Sequence, residues 1–228
     1  METSKNQKDG LMTVVIKVSI CLLFCLLATR EGKAQVFNQA IYPLSGQQMR
    51  DKVRSVYTSQ IGVREKQPNS GREVEEYLRY VNLSKGNPWC AAFVCWALGQ
   101  ANIVNPRTGW SPGFFMNGNV IWTSSDPRTK IQEPRFPQNA LGAACLSLRA
   151  QRGKRFPQNV LPNTGDIFGL YFPEKGRIAH VGFVDEWKDP WVTTVEGNTN
   201  VLGSREGDGV YRKRRLVRSV YKVARYLN

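Results

Sequence analysis

The chain has 228 residues, of which 41% are apolar and 11% aromatic, and its formal net charge at pH 7 is +14. This length and apolar content predict one domain with a packed core and exclude a chain that is disordered throughout. The excess of Lys and Arg favours polyanionic partners, with a solvated basic surface as the alternative.

The amino terminus has the pattern of a signal peptide. A basic residue, Lys17, leads into the apolar run of residues 18–28. Small residues, Gly32 and Ala34, stand three residues and one residue before a cleavage point ahead of Gln35. The pattern therefore indicates an exported protein.

We predict a signal peptide at residues 1–34, with Met12 as an alternative start, and one domain at residues 35–228. Cleavage would give a secreted or periplasmic protein. The alternative is an uncleaved membrane anchor, because residues 11–28 are nearly long enough to span a bilayer. In an exported protein the first polyanionic candidates are the anionic polymers of the cell envelope. Nucleic acid is the second choice and not the expected partner, because no nucleic-acid-binding motif accompanies the charge; residues 212–215 would be its basic patch.

Of the five cysteines, Cys21 and Cys25 lie in the leader, which leaves Cys90, Cys95 and Cys145. An odd number in an exported domain implies at least one free thiol. Either Cys95 and Cys145 form a disulfide or are two buried thiols, with Cys90 free, or all three are buried core residues. The absence of a CxxC pair disfavours a zinc site. The sequence also lacks an Asp-rich loop of the kind that binds calcium.

Three segments of the first half predict helices. The first is expected to start at Ser45 or Gly46 and to end near Gly62, and the second covers residues 74–81. Both carry apolar residues at helical spacing on one face. The third contains residues 91–98, which are apolar almost all round, so we expect this helix to be buried.

The start of the third helix is expected to activate Cys90. Asn87 suits the N-cap and Pro88 the first helical position, which would place Trp89 and Cys90 in the first turn. There the unpaired N–H groups and the helix dipole stabilise a thiolate and lower its pKa. Cys95 lies about 140° further round the helix and is therefore predicted to be a core residue.

That helix is expected to end at Gly99. Residues 102–164, rich in Pro, Gly, Asn and Ser, predict a long excursion with one helical patch at 140–151. The pentapeptide RFPQN occurs at 135–139 and again at 155–159. Four aromatic residues of the excursion either wall a cleft or belong to ordinary packing: Trp110, Phe114, Phe115 and Trp122.

The last third of the chain is rich in β-forming residues. The predicted strands are 166–172, 178–187, 191–196, 209–215 and 217–227, with a hairpin turn at Asp189 and Pro190. Helices followed by consecutive strands indicate an α+β fold with an antiparallel sheet. Alternation in the second of these strands gives one face to Ala179, Val181, Phe183 and Trp187, and the other to Ile178, His180, Gly182 and Val184.

A Cys–His pair is the chemistry that these elements could assemble. A thiol needs a base to become a good nucleophile, and His180 is the only histidine of the chain. Packing the third helix across the sheet would bring Cys90 to His180. A satisfied core or surface histidine is the blander role for His180, and a core residue is the blander role for Cys90.

A third group should orient the imidazole, and Glu196 ends the strand next to that of His180. Asn198 is the alternative acceptor, or a residue that fixes the loop. Asp185 and Glu186 lie too far along the strand of His180 to serve. Asp166 is predicted to be a turn residue that opens a strand.

Several short motifs follow one another along the chain. They are residues 59–65 (SQIGVRE), 88–94 (PWCAAFV), 165–167 (GDI), 180–184 (HVGFV), 196–198 (EGN) and 209–214 (GVYRKR). In this order they resemble the CHAP family of cysteine, histidine-dependent amidohydrolases/peptidases. The resemblance covers roughly residues 46–227 and departs most from a compact family member at 102–164.

The resemblance implies a papain-like α+β fold, related to that of the NlpC/P60 peptidases. It implies that Cys90 is the nucleophile, that His180 is the base, that Glu196 orients the imidazole and that Asn198 assists. The implied substrate is peptidoglycan, cut at the sugar–peptide amide or within its peptides, by a monomer that needs no cofactor. A cell-wall-binding module that retains the fold without catalysis is the alternative.

Overall fold

The computed structural model describes residues 44–116, 118–124, 160–201 and 207–227. Within these ranges no helix is both long and apolar enough to cross a membrane. Several predictions concern residues outside the described ones, namely the leader at 1–34, the helical patch at 140–151, both copies of RFPQN, and Cys145.

The described residues form a mixed α+β domain, as predicted. Its helices are α1 (Gly46–Ser59), α2 (Arg72–Tyr80) and α3 (Cys90–Gln100). Its strands are β1 (Val120–Thr123), β2 (Ile167–Phe172), β3 (Arg177–Lys188), β4 (Trp191–Thr199), β5 (Gly209–Leu216) and β6 (Lys222–Ala224). Short 3-10 turns occupy Ser111–Phe115, Pro173–Lys175 and Val217–Ser219.

The strands make one antiparallel sheet in the order β1-β6-β2-β3-β4-β5. Strand β1 lies within the predicted excursion at 102–164 and was not predicted from the sequence. The predicted strand 217–227 is wrong in extent, since a 3-10 turn precedes the short strand β6. Strand β6 then pairs with β1 on one side and β2 on the other, so the carboxyl-terminal segment lies between the edge strand β1 and β2.

Helix α3 lies at the centre of the larger apolar core. Eight of its eleven residues are buried, as its all-apolar sequence predicted. The Phe93 ring meets the Phe183 ring of β3 edge-on at 6.0 Å between centroids, and Tyr57 of α1 stacks on Phe183 at 4.5 Å. The helices therefore cover the face of the sheet that carries Phe183.

A second apolar cluster contains alternate residues of the same strands, including Phe168, Leu170, Val184 and Val192. The predicted faces of β3 hold for Val181, Phe183 and Val184 but are wrong at both ends. Ile178 belongs to the helix-covered core and Trp187 packs against the second cluster. The reason is that the pairing register shifts between His180 and Ile178 and again between Val184 and Glu186, and each shift reverses the alternation.

Helix α3 continues through Gly99 to Gln100, so the prediction that Gly99 ends it was wrong. A Cβ atom at Gly99 would lie 2.2 Å from Oη of Tyr80 on α2. Glycine at 99 therefore lets α3 pack closely against the Tyr80 side chain of α2, and it does not act as a helix stop.

Two buried aspartates attach α1 to the sheet. Asp166, which precedes β2 as predicted, accepts from Arg225 at 2.9 and 2.7 Å and from Arg50 at 3.3 Å. Asp185 of β3 accepts from Arg54 at 2.8 Å and from the Tyr57 hydroxyl at 2.9 Å. Because Arg50 and Arg54 lie one turn apart, one face of α1 meets both carboxylates.

Replacing Asp166 with Ala should lower the free energy of unfolding by about 3–5 kcal/mol, because Arg50 and Arg225 would lose their buried partner. Urea unfolding followed by circular dichroism measures this loss. Glu76→Ala is the control, since it removes the exposed Arg72–Glu76 pair and should change stability little. Equal losses in the two variants would contradict a structural role for Asp166.

Candidate active site

Cys90 is the first residue of α3, and Trp89 is its N-cap. The predicted N-cap, Asn87, was wrong by two residues, because its amide donates to Ser84 O at 3.0 Å instead of capping the helix. The first intrahelical bond runs from Phe93 N to Trp89 O at 2.8 Å. Cys90 still lies in the first turn, where the helix dipole favours a thiolate.

The structure brings Cys90 and His180 together, as the packing of α3 across the sheet predicted. Both are nearly buried, with 6% and 5% of their surface exposed, and each side chain is close enough to shift the pKa of the other. The Nε2 atom of His180 lies 2.8 Å from Oε2 of Glu196. The other ring nitrogen, Nδ1, is therefore the one that is available to exchange a proton with Cys90.

Glu196 is fully buried, and both oxygens of its carboxylate accept hydrogen bonds. Thr194 Oγ1 donates to Oε1 at 2.5 Å. The guanidinium of Arg215 donates from Nε to Oε1 and from Nη2 to Oε2, both at 2.6 Å. With His180 on Oε2, the carboxylate cannot rotate without breaking several bonds, so it fixes the plane of the imidazole.

Burial opposes an imidazolium at His180, but hydrogen bonds and charges from Cys90 and Glu196 outweigh it and raise its pKa to about 9. Burial likewise opposes a thiolate at Cys90. The hydrogen bond and charge of His180, with smaller contributions from Ser111 and the backbone of Val181, bring the pKa of Cys90 below its ordinary value. Both shifts favour the thiolate–imidazolium form of the pair over the neutral form.

Glu196, Gly197 and Asn198 each have a separate structural task. A Cβ at Gly197 would lie 2.6 Å from the Trp89 ring and 2.9 Å from Phe93, so glycine lets β4 approach the start of α3. Asn198 has a φ of 54°. In the amide orientation that satisfies both neighbours, its Oδ1 accepts from Trp89 N at 3.0 Å and its Nδ2 donates to Gly207 O at 3.2 Å.

These hydrogen bonds place Asn198 at the helix start, not at the imidazole. Of its two predicted roles, orienting His180 or fixing the loop, the structure places its side chain in the second position. By accepting from the N-cap residue, Asn198 connects the end of β4 to the turn that presents Cys90. This contact supports a positioning role in the site.

Gly182, in the motif that contains His180, also leaves space for the side chain of Glu196. A Cβ at this position would lie 2.8 Å from Val195 O and 3.0 Å from Cγ of Glu196. The backbone of β4 cannot yield easily to such a contact. Glycine at 182 therefore allows Glu196 to reach across to His180.

Sequence reasoning missed three residues of the site. Ser111, buried in the 3-10 turn Ser111–Phe115, has its hydroxyl 3.6 Å from Sγ of Cys90. No local pattern in the sequence indicates this contact. Thr194 lies two residues before Glu196, so strand alternation could have placed both on one face. Arg215 was predicted only as part of the strand 209–215 and of the basic patch 212–215, and its contact with Glu196 depends on the register between β4 and β5.

Other predicted candidates lie outside this cluster. Asp185 binds Arg54 and Tyr57, and Glu186 is exposed. Cys95 is buried, its pKa is raised to about 12 by burial, and its Sγ donates to Thr108 O at 3.5 Å. It is a core thiol, as predicted from the helix phase, and it is free among the described residues.

The aromatic residues of the 102–164 region belong mainly to packing. Phe114 and Phe115 are buried, and Phe114 meets Tyr226 edge-on at 6.0 Å. Trp122 packs edge-on against Trp187 at 5.1 Å in the second cluster. Trp110 is half-buried beside Ser111.

Within the described ranges, no group of three or more His, Cys, Asp or Glu side chains is arranged to hold a metal ion. The described site contains three protein groups that could take part in a reaction. They comprise a nucleophilic sulfur, a base that is also a proton donor, and a fixed carboxylate.

We expect Cys90 to be alkylated by iodoacetamide at a pH where ordinary thiols are protonated and unreactive, because the thiolate is the reacting form. A second inflection in rate is expected near pH 9, where His180 loses its proton. Peptide mapping by mass spectrometry gives the rate at each cysteine separately. A Cys90 profile with a single inflection near pH 8.5, like a free thiol, would contradict the ion pair.

Comparisons with protein-family models, with curated proteins and with solved structures find no match to this chain.

Proposed function

We propose that this protein is a cysteine amidohydrolase or peptidase that cuts amide bonds in peptidoglycan. The observation that carries the proposal is the buried series of contacts from Cys90 through His180 to Glu196 at the start of α3. In it the pKa of the thiol is lowered and that of the imidazole is raised. Such opposite shifts in one contact pair are typical of an activated nucleophile and its acid–base partner.

The proposed reaction is acyl transfer through a thioester. The Cys90 thiolate attacks the amide carbonyl carbon, and the carbonyl oxygen becomes an oxyanion. Backbone N–H groups in the first turn of α3 would hold that oxyanion, with the Ser111 hydroxyl close by. His180 donates its proton from Nδ1 to the leaving amine as the C–N bond breaks.

Water then releases the acyl group. His180, now neutral, takes a proton from the water as it attacks the thioester carbonyl. The C–S bond breaks, the carboxylic acid leaves, and the thiolate and imidazolium are restored. Glu196 stays ionised throughout and stabilises the imidazolium at both stages.

Three features support peptidoglycan as the substrate. The ordered motifs around Cys90, His180 and Glu196 resemble those of CHAP enzymes. The net charge of +14 suits an anionic cell envelope, and the leader pattern suits export. A central helix that presents its first-turn Cys to an antiparallel sheet carrying the His and the acid also supports a papain-like fold. We propose a monomer that reaches the wall by secretion or from the periplasm, and that contacts the membrane only where the leader is retained.

A wall-binding module without catalysis would explain the charge but not the shifted pKa values of Cys90 and His180. Nucleic-acid binding has less support still. Of the basic residues at 212–215, Arg212 pairs with Asp185 at 3.2 Å and Arg215 with Glu196 at 2.6 Å. These contacts leave no continuous basic face on β5 for a phosphate backbone.

The test is incubation of purified sacculi with the protein, before and after alkylation of Cys90. We expect soluble fragments from the untreated protein and none after alkylation, while the alkylated protein still binds sacculi. Binding by both forms with no fragments from either would favour the binding module. Salt-sensitive DNA binding without any effect on sacculi would favour the nucleic-acid alternative.

A further inference from the structure

We propose that Arg215 is a positioning residue of the active site, whose guanidinium holds Glu196 against His180 and balances the charge of the buried cluster. The inference rests on the proposed use of Cys90 as a nucleophile, but not on the identity of the substrate. Resemblance to CHAP enzymes does not assign this residue.

The geometry separates Arg215 from an ordinary ion pair. It lies on β5 opposite Val192 of β4, four residues from Glu196 along that strand. Its side chain runs along the sheet to reach the carboxylate and is only 17% exposed. Both guanidinium nitrogens that face Glu196 are used, one on each carboxylate oxygen. A planar fork of this kind fixes the orientation of its partner as well as its position.

Charge balance explains why the site needs a cation here. Glu196 and the Cys90 thiolate are negative, and Arg215 and the His180 imidazolium are positive, so the four groups sum to zero. Without Arg215 the buried cluster would carry a net negative charge. Such a charge makes a second anion harder to form, and it makes every proton in the cluster harder to remove.

The other charged group that faces this cluster is Lys213, which lies on β5 two residues before Arg215. Its ammonium donates to Asn200 O at 2.7 Å and interacts with the charges of Glu196 and Arg215. It does not share the carboxylate oxygens, which are already taken by His180, Thr194 and Arg215 among the described residues. Arg215 is therefore the cation that sets the local balance.

The test compares Arg215→Met with Arg215→Lys in the full chain. The rate of Cys90 alkylation by iodoacetamide is measured against pH. In Arg215→Met we expect both inflections to move to higher pH by about one unit, because one nearby positive charge has been removed. In Arg215→Lys both inflections should stay close to wild type, while hydrolysis slows because the fork is lost.

Arg214→Met is the matched control. Arg214 is the neighbour on the same strand, and its guanidinium lies over the Trp191 ring at 4.2 Å, away from Glu196. This variant loses the same charge from the same strand, and its two inflections should not move. Unmoved inflections in folded Arg215→Met, or equal shifts in both Met variants, would overturn the proposal.

Arg215→Met could fail to fold, because it leaves Glu196 buried with less compensation. In that case Glu196→Gln is compared with the double variant Glu196→Gln/Arg215→Met, in which no buried carboxylate is left unpaired. The second inflection should lie at higher pH in the double variant, since it lacks one positive charge. Coincident inflections would overturn the proposal.

The alkylation assay does not involve peptidoglycan. A protein that leaves sacculi intact but shows these shifts would refute the proposed substrate and retain the role of Arg215. A protein that cuts sacculi but shows no shift would retain the proposed substrate and refute the role of Arg215.

Discussion

Replacing Cys90 or His180 with Ala should slow hydrolysis of peptidoglycan on the order of 10⁴-fold or more, because each change removes a group that takes part in bond making. Cys90→Ala removes the sulfur that interacts with the imidazole. His180→Ala removes both the stabiliser of the thiolate and the donor for the leaving amine. The measurement is the initial rate of fragment release from sacculi.

Both variants should retain the wild-type circular dichroism spectrum, since Ala is compatible with the start of α3 below the N-cap Trp89, and His180 lies inside β3 rather than at its ends. Cys95→Ala is the matched control. It removes a buried thiol from the same helix, but that thiol bonds the backbone of Thr108 and lies away from His180. Its activity should remain within a few-fold of wild type. Full activity in folded Cys90→Ala, or equal inactivation of Cys95→Ala, would refute the assignment of the nucleophile.

Replacing Glu196 with Gln should lower hydrolysis by about 10²- to 10⁴-fold, because the imidazolium loses its charged partner and one fixed acceptor. The pKa of His180 should fall from about 9 towards its ordinary value of 6.5. Because hydrolysis needs the imidazolium as proton donor, the alkaline side of the rate profile should move to lower pH. The pH dependence of fragment release measures this shift.

Stability should fall as well, since Arg215 would lose a buried carboxylate, so the assays belong at temperatures where the variant remains folded. Glu65→Gln is the control. This carboxylate accepts from Nε1 of Trp89 at 2.6 Å, beside α3 but without a bond to His180. The alkaline side of the rate profile of Glu65→Gln should stay at the wild-type pH. An unshifted alkaline side in Glu196→Gln would show that the carboxylate does not act on the imidazole.

The sequence pattern predicted that Cys90, His180 and Glu196 could meet, with Asn198 as an alternative to Glu196, and the resemblance to CHAP enzymes implied the same residues. The chain has one histidine, and distance along its strand excluded Asp185 and Glu186 as the acid partner. The α+β class followed from the order of the elements, and the burial of α3 followed from its apolar sequence. These features depend on local pattern and on the order of segments, which a single sequence displays.

What the sequence did not predict depends on register and on contacts between distant segments. The reach of Arg215 to Glu196 requires the alignment of β4 with β5. The approach of Ser111 to Cys90 requires the path of a loop that has no periodicity. Trp187 faces the opposite way from the prediction because a shift of register intervenes in β3.

The central claim is that Cys90 cleaves an amide bond of peptidoglycan, and mass spectrometry of digests made in H₂¹⁸O tests it most directly. Each cut should produce one new amino group and one new carboxyl group that contains ¹⁸O, with wild type and not with Cys90→Ala. Sacculi left intact by wild type, fragments broken only between sugars, or the same fragments from Cys90→Ala would contradict it.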